Sequence, residues 1–270
     1  MTGFLFWNTQ GKALQESLAN LAENFVVDII LLAESKVEPV KILEALNKRK
    51  NNFHYIPQIG CQKIEVFTKY PPRFIKTIFE LNRLTIRHLE IPESESILVA
   101  GMHFPSKVNM KPEDQISEMI EMSRAIREAE KEVNHSRTVL VGDLNMNPFE
   151  SGVVNANALH GVMTQKIAQK KSRIVQEKSY PFFYNPMWRY FGDETPRPSG
   201  THYYWHSGHN EYFWNIFDQV LIRPDLIDRF DSKSLEIVSS DGRDSFLKMD
   251  GTIDDRNFSD HLPLYFKINL

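Results

Sequence analysis

Several things are scarce in this chain, and each scarcity narrows what it can be. There is one cysteine, Cys61, so no internal disulfide can form, which fits a reducing compartment. There is no long apolar run: the longest, Ile29 to Ala33, is far too short to cross a bilayer. No basic segment followed by an apolar core and a cleavage site marks the N-terminus, so no signal peptide is expected and the default location is cytoplasmic. Positive charge is not in excess, with 32 Lys and Arg against 35 Asp and Glu, a net charge of −3 and a pI of about 6.3. A protein that held duplex nucleic acid mainly by neutralising phosphates would usually be more basic, so charge alone neither suggests nor excludes that partner. Repeats, low-complexity linkers and composition breaks are also missing, which favours one domain over residues 1–270. With 41% hydrophobic and 25% charged residues, that domain can bury a substantial core.

What is present reads as helices and strands that interleave early, followed by strand pairs. Residues 4–7 form a short buried strand, and Leu14, Leu18, Leu21 and Phe25 fall at helical spacing over 12–25. Ile29–Ala33 is a second apolar strand, ending in Glu34 and Ser35. Pro39 then suits the first turn of a helix carrying Val40, Leu43 and Leu46. Residues 53–100 read as shorter strands, one holding Leu84, Ile86 and Ile91 and the next Ile97–Ala100, closed by Met102 and His103. Residues 112–133 give the strongest helix, with Glu113 and Asp114 in its first turn and Ile116, Met119, Ile120 and Ile126 on its apolar stripe. Val139–Gly142 is a buried strand that stops at Asp143. The stretch 180–215 has no clear period and reads as a long irregular loop, a kind that is usually functional in compact domains. Ile216–Ile222 is a strand with a single acid, Asp218, and Leu262–Leu270 alternates like a half-buried final strand. The fold class is α/β.

The polar residues at strand ends are of one chemical kind: Asn8, Glu34, His103, Asp143 with Asn145, Asp218, and Asp260 with His261. In a layered sheet structure strand ends gather on one rim, and a carboxylate on a rigid element can be held to catalytic precision. The set reads as a metal-dependent phosphoester hydrolase. Mg²⁺ prefers oxygen donors and takes one or two protein carboxylates plus water and substrate phosphate. Glu34 is the first choice of ligand, supported by Asn8 and Asp260 directly or through water, with Mn²⁺ as a substitute ion. His261 with Asp218 suits a base held in one tautomer by an acid from another strand.

Six stretches carry a resemblance. "FWN" (6–8), "LLAES" (31–35), "GMHFPSK" (101–107), "VGDLNMNP" (141–148), "FDQVLI" (217–222) and "SDHLPL" (259–264) occur in the order seen in the endonuclease/exonuclease/phosphatase superfamily, which includes deoxyribonuclease-I-like proteins. The resemblance spans nearly the whole chain. It implies a four-layer α/β/β/α sandwich of two packed mixed β-sheets, with the active site on one edge. It implies that Asn8 and Glu34 belong to the metal site and that His103 contacts the scissile phosphate. Asp143 and Asn145 match the pair that orients nucleophile and phosphate. Asp218 and His261 match the acid–histidine pair, and Asp260 the acid beside it. Whether His261 or Asp143 takes the proton from water stays open, with His261 preferred. One position departs: repair endonucleases of this family commonly carry an acid two residues after the first asparagine, where this chain has Gln10, and that counts against a second metal.

Each residue alone has a plainer reading. Asp143 and Asn145 are turn formers, Glu34 a solvated helix-start acid, Asp218 a buried acid paired with an arginine such as Arg223, and His261 a satisfied buried histidine. The combination favours function. For His202, His206 and His209 the plainer reading is preferred: a loop around the site rather than a metal cluster. Thr201, Trp205 and Trp214 fall where family members build part of the substrate pocket, and aromatics there suit stacking on bases or packing the loop down. Lys107 is a candidate phosphate contact. The run Lys166, Lys170, Lys171, Arg173 and Lys178 reads slightly better as a solvated face than as a phosphate patch. The expected substrate is nucleic acid, hydrolysed at its phosphodiester bonds. The alternative is a small or lipid phosphate of phosphoinositide or sphingomyelin type, and a third reading is an inactive binding module.

Overall fold

The computed structural model describes residues 1–48, 51–107, 110–192, 198–207, 209 and 211–270. Along the chain run β1 (Thr2–Asn8), α1 (Gln15–Asn24), β2 (Ile29–Ala33), α2 (Pro39–Asn47), β3 (His54–Ile56), β4 (Ile64–Thr68), β5 (Ile75–Leu81), β6 (Leu84–Leu89) and β7 (Ile97–His103). They are followed by α3 (Pro112–Glu132), β8 (Thr138–Asp143), α4 (Ser151–Val154), β9 (Gly161–Val162), α5 (Gln165–Ala168), β10 (Ser172–Val175), β11 (Lys178–Pro181) and β12 (Phe183–Tyr184). β13 (His202–Tyr203), β14 (Trp214–Asn215), β15 (Asp218–Ile222), β16 (Phe230–Ile237) and β17 (Leu264–Ile268) complete the chain. Among the described residues no helix is long and apolar enough to cross a membrane.

Two large mixed sheets form. One has the order β16-β17-β1-β2-β4-β3 and the other β5-β6-β7-β8-β15-β12-β9. Each has a parallel pair at its centre, β1 with β2 and β7 with β8; β12 and β9 at one edge are also parallel, and the remaining pairings are antiparallel. Side chains alternate across these strands, and the alternation builds the layers. Val139 and Val141 of β8 join Phe4, Phe6 and Val220 in the core between the sheets. Leu140, one residue away, joins Met119, Met122 and Ile126 of α3 on the outer face. Helices α1 and α2 cover the far side of the six-stranded sheet with Leu18, Leu21, Ile42 and Leu46. The result is the expected α/β/β/α sandwich.

Local expectations meet the structure unevenly. Val40 is exposed, and α2 instead buries Ile42, Ala45 and Leu46, because the face turned to the sheet lies two residues further on. Strand β6 ends at Leu89, so Ile91 falls outside it. The final strand is not half-buried: Tyr265 is as hidden as its neighbours, since β17 lies between β16 and β1 with a helix layer behind it. The stretch 180–215 is less irregular than its sequence suggests, holding β12, β13, β14 and a short 3-10 turn at Pro186–Tyr190. Within it, 193–197, 208 and 210 lie outside the described residues.

Gly142 is forced by this packing. A Cβ on Gly142 would collide with the backbone carbonyl of Met102 on the adjacent strand. Gly142→Ala is therefore expected to cost about 1–3 kcal/mol or more, because the obstacle is backbone that cannot rotate away. Urea unfolding of the variant measures it. A loss below about 0.5 kcal/mol, the scatter of ordinary surface changes, contradicts the close approach.

Candidate active site

The site is a consequence of register. His103, the last residue of β7, pairs with Asp143, the last residue of β8, and Asp143 pairs with Asp218, the first residue of antiparallel β15. Three chemically active residues thus stand in one row across three neighbouring strands. Each follows the inter-sheet face by a step of two, as in Val139, Val141, Asp143. On the opposing sheet Asn8 ends β1, Glu34 follows β2, and Asp260 and His261 precede antiparallel β17. All of these ends meet at one rim around a cavity of about 320 Å³.

Hydrogen bonds fix the parts. Asn8 donates from Nδ2 to Asp143 Oδ2 at 3.0 Å, tying the two sheets together at the rim. Asp143 is 1% exposed, and the same Oδ2 lies 3.8 Å from His103 Nε2 and 3.9 Å from His261 Nε2. His261 Nδ1 lies 2.7 Å from Oδ2 of the fully buried Asp218. The backbone of His261 is held as firmly: its carbonyl accepts from Trp7 Nε1 at 2.9 Å and its N–H donates to Ser259 Oγ, which in turn donates to the carbonyl of Asn8 at 2.6 Å. Glu34 Oε1 lies 3.2 Å from His103 Nε2, and its side chain is 41% exposed. Gln10, Glu34 and Asn145 all carry positive φ, at 52°, 52° and 48°. Such backbone is uncommon outside glycine and gathers where geometry is dictated by function.

Electrostatics follow from crowding acids and histidines. Burial alone would keep the His261 imidazole neutral, but the charges of Asp218, Asp143 and Asp260 outweigh it and push its pKa up to about 10. The hydrogen bond and charge of His103 hold Glu34 below the usual carboxylate range, against its partial burial. Burial lifts Asp260, opposed by His261 and reinforced by Glu34. Burial and the neighbouring His261 press His202 down to about 3, so this imidazole is neutral at physiological pH.

Acidic and histidine groups that could hold a metal ion are present. Ligand atoms of His202, Asp260 and His261 lie within 4.8 Å of one another, as do those of Asp143, Asp218 and His261. Glu34 belongs to neither group, being engaged with His103. The oxygen donors nonetheless suit a hard dication, because Asp260 Oδ1 is buried with no hydrogen-bond partner and Asn8 and Glu34 line the same cavity.

Comparison with known proteins decides the family. The chain matches the Endonuclease/Exonuclease/phosphatase family over residues 5–261. It belongs to that family. No curated protein matches it in sequence. Solved structures share its fold at low identity. Truncated Caenorhabditis elegans TDP2 is 15% identical, with 100% of this chain and 98% of that one aligned at a TM-score of 0.56. An AP endonuclease from Archaeoglobus fulgidus is 15% identical, with full coverage of both chains at 0.55. The catalytic domain of human Nocturnin with bound sulfate is 11% identical, covering 98% and 93% at 0.57. The architecture is accordingly the DNase I-like fold of this family.

Against the family pattern, Asn8, Glu34, His103, Asp143, Asn145, Asp260 and His261 converge on one cavity, and Asp218 stands directly behind His261. Four expected substrate residues do not line it. Lys107 is drawn to Glu150 at 2.6 Å. Thr201 is fully buried and its hydroxyl accepts the backbone N–H groups of Phe217 and Asp218, so it braces the start of β15 rather than facing a substrate. Trp205 is 63% exposed away from the cavity, and Trp214 packs edge-on against Tyr203. The basic run is also elsewhere, with Lys171 on Asp225 and Arg173 on His160. Asp218 has no pairing with Arg223, which binds Glu130. Gln10 donates to Asp260 Oδ2 at 2.7 Å, so the amide at the departing position serves an acid instead of replacing one.

The cavity also holds Lys63, Arg83 and Ser106, which no sequence signal singles out, and His202, expected only in a loop around the site. Lys63 precedes β4 and Arg83 sits in the β5–β6 turn, where its carbonyl accepts from His103 N at 3.0 Å. Only folding brings these loops beside the acids. Of the three loop histidines, His206 pairs with Glu211 and His209 is exposed, so they form no cluster, but His202 turns inward, its ring tilted against that of His261 with the centroids 4.7 Å apart.

Proposed function

We propose that this chain is a divalent-metal-dependent nuclease that hydrolyses phosphodiester bonds of DNA or RNA. The carrying observation is the Asp218–His261 pair, whose free Nε2 faces the cavity beside Asp143. Asp218 fixes the tautomer by accepting from Nδ1, which leaves Nε2 to take the proton from an attacking water. Asp143 holds that water, and Asn145, fixed by its own Nδ2 bond to the Phe104 carbonyl at 2.8 Å, borders the phosphate. His103 stands where charge develops on the phosphoryl oxygens, with Lys63 and Arg83 beside it as cationic support. Neither has a carboxylate partner among the described residues. Asn8, Glu34 and Asp260 would hold Mg²⁺, with Mn²⁺ as substitute. A bound dication supplies charge for those phosphoryl oxygens and offsets the carboxylate field that otherwise keeps His261 protonated. Among the relatives in fold, the AP endonuclease supports nucleic acid as the substrate class.

The expected result is cleavage of DNA or RNA by purified protein with Mg²⁺ or Mn²⁺, stopped by chelator and restored by adding the ion back. Glu34→Gln should need far more Mg²⁺ to reach half its maximal rate. If every form of nucleic acid stays intact while a phosphoinositide, sphingomyelin or a nucleotide loses phosphate, the phosphatase or phosphodiesterase reading replaces this one.

A further inference from the structure

His202 is the cavity residue with the least explanation. Its Nδ1 is buried without a hydrogen-bond partner, and its Nε2 lies 3.9 Å from Asp260 Oδ2. Its ring stacks on Phe217 and lies tilted against His261, with which it also forms a backbone bridge, so its position is fixed by the fold rather than by a flexible loop. Asp260 adds a second orphan, its buried Oδ1. His261 contributes one nitrogen, Nε2, because Nδ1 is taken by Asp218. Two imidazole nitrogens and a carboxylate with ligand atoms all within 4.8 Å make a donor set quite unlike that of Asn8, Glu34 and Asp260. Imidazole suits Zn²⁺ and its transition-metal neighbours, whereas Mg²⁺ wants oxygen.

We propose that His202, Asp260 and His261 form a binding site for a transition dication such as Zn²⁺, and that its occupation silences the enzyme. Binding requires the Nε2 lone pair of His261, the same pair that would accept the proton from water. The proton on Nε2 leaves to solvent as the nitrogen–metal bond forms, and the imidazole cannot then act as a base. Asp260 is shared with the Mg²⁺ donors, so the two ions oppose each other. The inhibitory half rests on the hydrolase reading, and the binding half does not.

The test uses the full chain and Zn²⁺ itself. Isothermal titration should show one tight Zn²⁺ equivalent, and Co²⁺ as a spectroscopic probe should give the visible absorption of a nitrogen-ligated site. His202→Phe, which keeps a stacking ring but has no donor, should weaken Zn²⁺ by at least about 10-fold, the loss that even an outer partner of a metal ligand causes. His202→Asn serves as a second variant should the first fail to fold. Each variant's residual Mg²⁺-supported activity should resist Zn²⁺ to a similar extent. Equal Zn²⁺ affinity in the folded variants and the parent overturns the site, as does a parent that binds no Zn²⁺. Binding that depends on His202 without inhibition overturns the silencing role. If no phosphoester is hydrolysed under any condition, the hydrolase reading fails while the titration still decides the site.

Discussion

His261→Ala should lower the rate of phosphodiester hydrolysis by about 10²–10⁴-fold, the usual contribution of positioned acid–base catalysis. Asp218→Asn should lose a large part of the same factor. The asparagine can present its N–H to Nδ1 and so favour the wrong tautomer, leaving Nε2 protonated when water needs a base. The two residues act as one device, so the double variant should fall little below the worse single variant. Steady-state rates on one nucleic-acid substrate, at saturating Mg²⁺, give all four values. Losses that multiply would mean that Asp218 and His261 act separately. Folding must be checked alongside, because His261→Ala strands a fully buried carboxylate. The side chain of Asp218 then keeps the Thr201 hydroxyl and the like-charged Asp143 carboxylate as neighbours, and protonation relieves part of the cost.

The sequence exposed this device because its members sit at the ends of apolar runs. Asp143 and His103 close runs of buried residues, and Asp218 opens another, so the sequence showed the chemistry and folding supplied only the register that aligns them. Asp260 and His261 were visible through the strand they precede. Residues contributed by turns were not. Lys63 and Arg83 stand in segments with ordinary composition, and their approach to the cavity depends on pairings between strands distant in sequence. His202 was visible as a residue but misplaced, because a two-residue strand gives no periodic signal to show which way its side chain faces. Thr201 was misjudged for the opposite reason. A threonine hydroxyl reads as a substrate contact in a pocket loop, but here it caps two backbone N–H groups that would otherwise be buried and unpaired.

Arg223 does not pair with Asp218, and the partner it takes instead yields the largest expected change in stability. It lies just past the last residue of β15, whereas Asp218 is the first. At about 3.3 Å per residue the two are at opposite ends of the strand and cannot meet. The guanidinium instead grips Glu130 of α3, with Nε 2.7 Å from Oε1 and Nη2 3.2 Å from Oε2. It also donates to the Phe182 carbonyl at 3.0 Å and lies 3.8 Å over the ring of Phe183. Arg223 is 1% exposed and Glu130 8%, so neither charge can recover hydration if the other is removed. Arg223→Met should therefore destabilise the protein by about 3–5 kcal/mol, the cost of an uncompensated buried charge. Replacing Glu130 by Met as well should recover much of that loss, since two apolar chains leave no charge to solvate. Chemical denaturation of both single variants and the double variant makes a complete cycle. A single-variant loss under about 1 kcal/mol would show that water reaches the pair and that it behaves as a surface bridge. Under conditions where Arg223→Met stays folded, its catalytic rate should match the parent's, because the pair anchors α3 to the end of the sheet farthest from the rim where Asp143 and His261 work.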